Sequence, residues 1–316
     1  MQSVSGHCIG QQGPCNRACA RRVSGRVGPV SASSLVSDLR RLRASPDTNK
    51  SIIPTTKLRL FLDSARRTQI EQWMSTGLFH GITCDPVILQ QDGIKCDLAS
   101  LSLLTQQALE LGCREVHLQA WGSSVAQMSS TAFDLAGIDP QRVVVKLPFT
   151  LEGIQTAGLL RNSNVRVTIT GLFTPPQVLV AQAVGADYAS PYLGPMNDAY
   201  GGSGGLEQVC EMQRVLQGCQ PRMRLMVTSI RDTADLTRLA SIGCNTFALT
   251  PTLAAKLFTN PFTIDAAGEM EAAAQANGGG ADALRKVEVP VAVQHEREAF
   301  AASRAAAMAA ATGSQL

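Results

Sequence analysis

From Leu58 the chain settles into a rhythm in which short β-branched or apolar runs alternate with longer stretches of helical spacing. The runs RLFLD (59–63), GITC (81–84), EVHLQA (115–120), VVVKL (143–147), VRVTIT (165–170), ADYAS (186–190), RLMVTS (224–229) and TFALT (246–250) predict strands. Between them TQIEQWMSTG, DLASLSLLTQQALELG, SSVAQMSSTAFDLAG, LEGIQTAGLLRN, PPQVLVAQAVG, GGLEQVCEMQRVLQG and RDTADLTRLASIG predict helices, and PTLAAKLF predicts one more after the last strand. Gly77, Gly112, Gly137, Gly185, Gly218 and Gly243 stand where helices should end, as expected of the residue that tolerates the left-handed conformation. Eight such strand–helix pairs across residues 58–276 predict a single α/β domain, a (β/α)8 TIM barrel. An open doubly wound sheet is the alternative, but no G-x-G-x-x-G follows the first strand, which argues against a dinucleotide fold.

In a barrel of this kind the chemistry sits where strands end, on the loops that follow. There the sequence puts Asp63, Thr83-Cys84-Asp85, Gln119, Lys146, Thr170, Ser190 with Tyr192, Ser229 with Arg231, and Thr250. Lys146 closes a run of three valines. It is either a charge capping a strand in water or an amine in a site. A free lysine, with a pKa of about 10.4, holds little neutral amine near pH 7. Walled by Val144 and its neighbours, the ammonium would be desolvated and its pKa lowered. The amine could then attack a carbonyl and form a Schiff base, whose iminium draws electrons from an adjacent carbon–carbon bond. Such chemistry needs a base for a substrate hydroxyl, groups that hold a water, and a pocket for a phosphate. Asp63, Gln119 with Thr170, and Ser229 with Arg231 are placed to supply these.

Composition narrows the field. The chain has 316 residues, 45% apolar and 17% charged, with a net charge of +3, enough apolar content for a sizeable core. No basic run interleaved with aromatics suggests a nucleic-acid surface. No stretch approaches the roughly 18 apolar residues of a membrane helix, so no nucleic-acid or membrane partner is expected. Nine cysteines are scattered without a C-x-x-C pair, which fits free thiols in a reducing compartment. Met1 to Ser37 contains no Asp or Glu but carries Arg17, Arg21, Arg22 and Arg26 among Ser, Gly, Ala and Val. That composition predicts an organelle transit peptide over 1–37, an ordinary tail being the other reading. Residues 38–57 then form a short helix, starting within SLVSDLRRLRA (34–44), and a linker.

LFLDSA (60–65), GITCDP (81–86), VVVKLPFT (143–150), SPYLG (190–194), GGSG (201–204) and TSIR (228–231) together resemble the transaldolase family. The likeness is closest to its short branch, which includes fructose-6-phosphate aldolase, and to plant-type transaldolase-like proteins. It covers about Leu58 to Ala274, with the motifs in family order. The resemblance implies that Lys146 is the Schiff-base lysine and Asp63 the aspartate that handles a sugar hydroxyl proton. Gln119 and Thr170 would hold the catalytic water, Glu standing in the main branch where Gln119 stands. Tyr192 would serve acid–base chemistry as in the aldolase branch, and Ser229 and Arg231 would bind phosphate. Thr83 and Asp85 would line the substrate site. No cofactor and no metal are called for.

Two departures stand out. Where the family reads T-T-N-P, this chain has Thr83-Cys84-Asp85-Pro86, so an amide that donates becomes a carboxylate that accepts. Beside Asp63 it should raise one carboxyl pKa and repel an anionic substrate. Where the family has Arg after Gly194, this chain has Pro195, which cannot bind phosphate. The expected activity is transfer of a dihydroxyacetone unit between sugar phosphates, as in the pentose phosphate pathway. Cleavage in the manner of fructose-6-phosphate aldolase is the alternative, and a weakly active or inactive barrel that binds sugar phosphates or regulates is the rival of another class.

Smaller features have plain readings. GGSGG (201–205) either cradles phosphate through backbone N–H groups or is a loop. His117, without a spaced partner, is expected in the core or rim. Met and Leu at helical spacing in 206–216 predict packing. DAAGEMEAAAQA (265–276) predicts the closing helix, and NGGG (277–280) opens a linker. KVEVPVAV (286–293), holding Pro290, reads as irregular, and QHEREAFAASRAAAMAAA (294–311) as a C-terminal helix that joins subunits of a homo-oligomer or frays. The expected location is the chloroplast stroma, with mitochondrion or cytoplasm as alternatives.

Overall fold

The computed structural model describes residues 57–219, 222–279 and 302. The predicted transit segment, the predicted helix over 34–44 and, Ala302 apart, the residues from 280 on lie outside the described residues. The strands are β1 (Arg59–Asp63), β2 (Gly81–Thr83), β3 (Glu115–Gln119), β4 (Val143–Pro148), β5 (Val167–Leu172), β6 (Tyr188–Pro191), β7 (Arg224–Val227) and β8 (Thr246–Leu249). All pair in parallel, in sequence order, and β8 returns to β1 to close the barrel.

Between the strands run α1 (Arg67–Met74), α2 (Pro86–Asp92), α3 (Leu98–Glu110), α4 (Val125–Ile138), α5 (Leu151–Asn162), α6 (Pro176–Ala183), α7 (Leu193–Tyr200), α8 (Gly204–Gly218), α9 (Thr233–Ser241), α10 (Pro251–Lys256) and α11 (Pro261–Ala276). Several start on a side-chain cap: Asp97 accepts from Ser100 N, Thr150 from Gly153 N, and Thr250 from Leu253 N. Gly77, Gly112, Gly185 and Gly243 follow helices with positive φ as expected, whereas Gly137 lies inside α4 and Gly218 is the last residue of α8. α2 and α7 have no counterpart in the sequence reading. α2 is seven residues with Pro86 at its start, too short to show a period, and α7 follows strand β6 after Tyr192 alone. α11 buries none of its side chains, and Phe262, Ile264 and Met270 are exposed.

A two-residue period sends alternate strand side chains into the barrel. The middle of the interior is filled by Phe61, Val144, Tyr188, Met226 and Ala248, with His117 and Thr168 among them, all buried. One step toward the N-terminal ends of the strands lies a charged cluster around Glu115. Its Oε1 accepts from Arg59 at 3.0 Å and Arg166 at 2.9 Å, and its Oε2 accepts from Tyr188 at 2.6 Å. Burial pushes the Glu115 carboxyl up, but contacts from His117, His80 and Tyr188 outweigh it and hold the group well below the usual carboxylate range. His117 reaches Thr168 with Nδ1 at 3.0 Å and Glu115 with Nε2 at 3.4 Å, and burial lowers its pKa to about 4. With a neutral ring against a carboxylate that only accepts, Nε2 carries the proton and Nδ1 accepts from Thr168. His117 is a core residue.

Candidate active site

One step toward the other end, the same period brings in Asp63, Gln119, Lys146 and Thr170. Their level is set by strand register: Gln119 pairs with Lys146, Lys146 with Thr168, and Asp63 with Thr83. Lys146 is only 2% exposed, which rules out a strand-end charge in water. Its Nζ lies 3.7 Å from Asp85 Oδ2. Asp85 is fixed in place because its other oxygen, Oδ1, caps α2 through Val87 N and Ile88 N, each at 3.0 Å. Thus one carboxylate both starts a helix and faces the lysine.

Asp63, Asp85, Gln119, Lys146, Tyr192 and Ser229 line one cavity of about 440 Å³, bordered by Pro195. Tyr192 OH and Thr170 Oγ1 share a hydrogen bond of 2.8 Å, and the Tyr192 ring packs edge-on against Phe173. Gln119 Oε1 and Thr83 Oγ1 are buried without a hydrogen-bond partner among the described residues, which costs about 1–3 kcal/mol each.

The charges here differ from the sequence expectation. Burial does pull the Lys146 pKa down, but Asp85, then Tyr192 and Asp63, pull it up by more, and the net position is above an ordinary lysine. The lowering expected from desolvation is therefore reversed, because the charges of Asp85, Tyr192 and Asp63 outweigh it. Burial raises Asp63 to about 6; Lys146 opposes this, and Asp85 and Asp92 add to it. The rise expected from a second carboxylate is present, with desolvation as its larger cause. Burial also drives the neighbouring Cys84 thiol up to about 12, so it is held as a thiol.

A second cavity, of about 410 Å³, shares Asp63, Pro195 and Ser229 with the first and adds Arg231, Thr252 and Lys256. Ser229 sits at φ 56°, a left-handed conformation uncommon outside glycine, and its carbonyl accepts from Gly194 N at 3.0 Å. Arg231, expected to be free for an anion, instead grips Asp198 with both Nη groups at 2.7 Å. The glycine loop at 201–205 lines neither cavity. Asp198 and Lys256 were not singled out by the sequence reading: each lies within a helix, and its proximity to the mouth is a product of chain folding.

The profile of the transaldolase/fructose-6-phosphate aldolase family matches residues 60–309. The chain belongs to that family. Among curated relatives, a probable transaldolase of Dictyoglomus turgidum is 27% identical over 206 residues, 65% of this chain and 92% of the relative. Probable transaldolase 2 of Listeria monocytogenes is 28% identical over 206 residues, 65% of this chain and 91% of the relative. A probable transaldolase of Caulobacter vibrioides is 24% identical over the same shares. This family member is thus an enzyme of aldolase or transferase type. At the two positions expected to depart from the family pattern, Asp85 and Pro195, the structure shows a physical consequence of each residue. Asp85 raises the lysine pKa, and Pro195 puts a ring without an N–H on the wall between the two cavities.

Proposed function

We propose that this chain is a class I enzyme that moves a dihydroxyacetone unit between sugar phosphates through a Schiff base on Lys146, in the pentose phosphate pathway. The observation that carries the reading is a buried lysine amine facing a single cavity with a carboxylate of raised pKa, an amide acceptor without a partner, and a phenol. The Lys146 amine adds to the C2 carbonyl of a ketose phosphate, and loss of water leaves an iminium. Asp63 takes the C4 hydroxyl proton, the C3–C4 bond breaks, and its electron pair passes to the iminium as an aldose phosphate departs. The enamine then attacks the carbonyl of an acceptor aldose. Gln119 offers its free oxygen to a substrate hydroxyl or the hydrolytic water, and Thr170 orients Tyr192 for proton transfer.

Since the resting lysine is an ammonium, Asp85 slows the first step at neutral pH. The Tyr192–Thr170 pair favours a second reading, in which the enamine is protonated and hydrolysed, releasing dihydroxyacetone in simple aldol cleavage. We further propose assembly as a homo-oligomer and delivery to the chloroplast by residues 1–37.

The test is trapping. Incubation with fructose 6-phosphate and borohydride is expected to add the reduced ketose mass to the peptide holding Lys146. No adduct on a folded protein sinks the Schiff-base reading and leaves a sugar-phosphate-binding barrel. With an adduct, transfer to erythrose 4-phosphate against release of glyceraldehyde 3-phosphate and dihydroxyacetone separates the two reactions.

A further inference from the structure

The two carboxylates that share a cavity with Lys146 come from different loops: Asp63 ends β1, and Asp85 opens α2. α2 is a seven-residue bar, and its other end is also a carboxylate, Asp92. An acid in the last turn of a helix sits against the helix dipole, so α2 itself does not call for one. The Asp92 side chain reaches back to β1 instead. Its Oδ2 accepts from Ala65 N at 2.8 Å and Arg66 N at 3.1 Å and lies 3.0 Å from Ser64 Oγ, while Oδ1 is 3.4 Å from the Arg66 guanidinium. Ser64, Ala65 and Arg66 are the three residues that follow Asp63. Ser64 Oγ is also 2.6 Å from Gln69 Oε1, so its single proton has two claimants and the backbone amides carry the link to Asp92. α1, which comes next, starts without a side-chain cap of its own. The Asp92 side chain is only 12% exposed, so the contact is held out of bulk water.

We propose that Asp92 is a positioning residue for the reaction: by fastening residues 64–66 to α2 it fixes the Asp63 carboxyl relative to Asp85 and Lys146. The inference rests on the reading of Asp63 as the base of carbon–carbon cleavage. Asp92 lines neither cavity of the mouth, so it acts through Asp63 and not on substrate. It does so in two ways. The amide contacts hold the strand end in place, and a shift of about 1 Å in a catalytic group can cost roughly a hundredfold in rate. The charge acts across space. Around Asp63 stand Lys146 on β4, Cys84 and Asp85 before α2, Asp92 with its partner Arg66, and, across the two cavities, Tyr192, Arg231 and Lys256. Burial is the largest cause of the raised Asp63 pKa and Lys146 opposes it; Asp85 and then Asp92 add to it.

The experiment compares full-length Asp92→Asn and Asp92→Ala with the parent. Asn keeps an oxygen for the amides of Ala65 and Arg66 but loses the charge. Asp63 should then ionise at lower pH, read by carbon NMR of the aspartate carboxyls with Asp63→Asn assigning the resonance. The rise of fructose 6-phosphate cleavage with pH should move the same way. Asp92→Ala frees the turn, and kcat for cleavage should fall roughly 10- to 100-fold with KM changed by no more than about threefold. Trapping of Lys146 by dihydroxyacetone and borohydride breaks no carbon–carbon bond and should stay within about twofold of the parent in Asp92→Ala. A general loss of structure would instead lower cleavage and trapping together. An Asp63 titration that does not move in Asp92→Asn overturns the assignment. So does Asp92→Ala if cleavage survives, or if trapping falls in step with it on a folded protein; should that variant not fold, the Asn variant decides. Should the parent trap no ketose at all, the Schiff-base reading fails, and the Asp63 titration alone still decides whether Asp92 acts on that carboxyl.

Discussion

The two ends of this barrel are built from the same residue types and treat them in opposite ways. At the N-terminal end Glu115 accepts from Arg59, Arg166 and Tyr188, and of the groups around it His80 Nε2, 3.4 Å from the same carboxylate, is left without a hydrogen bond among the described residues. At the C-terminal end Lys146 faces one carboxylate at 3.7 Å, Gln119 and Thr83 keep buried atoms without partners among the described residues, and Ser229 adopts a left-handed backbone. A buried charge with complete hydrogen bonding stabilises the fold relative to the same charge left alone. A site with unmatched groups costs stability and is kept where substrate supplies the match. The distinction between a structural and a reactive end therefore rests on how far charges are matched, since both ends hold charge.

The largest expected effect is at the matched end. Glu115→Gln leaves Arg59 and Arg166 without their anion inside the barrel and should cost about 3–5 kcal/mol, read by denaturant unfolding. Glu115 has a depressed folded pKa, so its stabilisation is present above its unfolded value and is lost as pH falls below about 4.5. The variant should therefore flatten the acid limb of the stability curve; an undiminished limb would show that the network is not where that stability resides.

The sign reverses at the mouth. Asp63 has a folded pKa raised to about 6, so the folded state holds a proton that the unfolded chain releases, and stability falls as pH rises from about 4 to about 6. Because Asp63 is only partly buried, the penalty at neutral pH is about 1–2 kcal/mol. Asp63→Asn should raise the Tm by roughly 2–8 °C while turnover is lost. A lowered Tm would mean that the carboxylate is matched after all.

The smallest effect is a shift along the pH axis. Asp85 raises the lysine pKa, so Asp85→Asn should move the pH-dependent rise in borohydride trapping with dihydroxyacetone to lower pH. An Asn side chain can still accept from the amides of α2, so the fold should hold. A pH profile that does not move would remove Asp85 as the brake.

Most of the fold was legible because period-2 strands and long amphipathic helices announce themselves locally. Strand β1 matches its predicted limits, and the other strands differ from theirs by no more than two residues at either end. α2 and α7 were hidden by shortness. α11 was readable as a helix but not as one that buries nothing, since burial is a relation to other elements. At the site, Lys146, Asp63, Gln119 and Tyr192 could be named because each ends or follows a strand. The direction of the lysine pKa could not, because it depends on how near Asp85, Tyr192 and Asp63 come to the amine in space. The capture of Arg231 by Asp198 and the opening of Lys256 onto the cavity are similarly facts of distance between segments far apart in sequence.

His117 stands between the two ends, locked to Thr168 on one side and Glu115 on the other. Its pKa of about 4 keeps the ring uncharged through the range in which Asp63 ionises, yet the charge on Lys146 still reaches it. The imidazole is thus a built-in spectator: a probe nucleus already buried beside the chemistry, able to register each change of charge at the mouth without taking part in it.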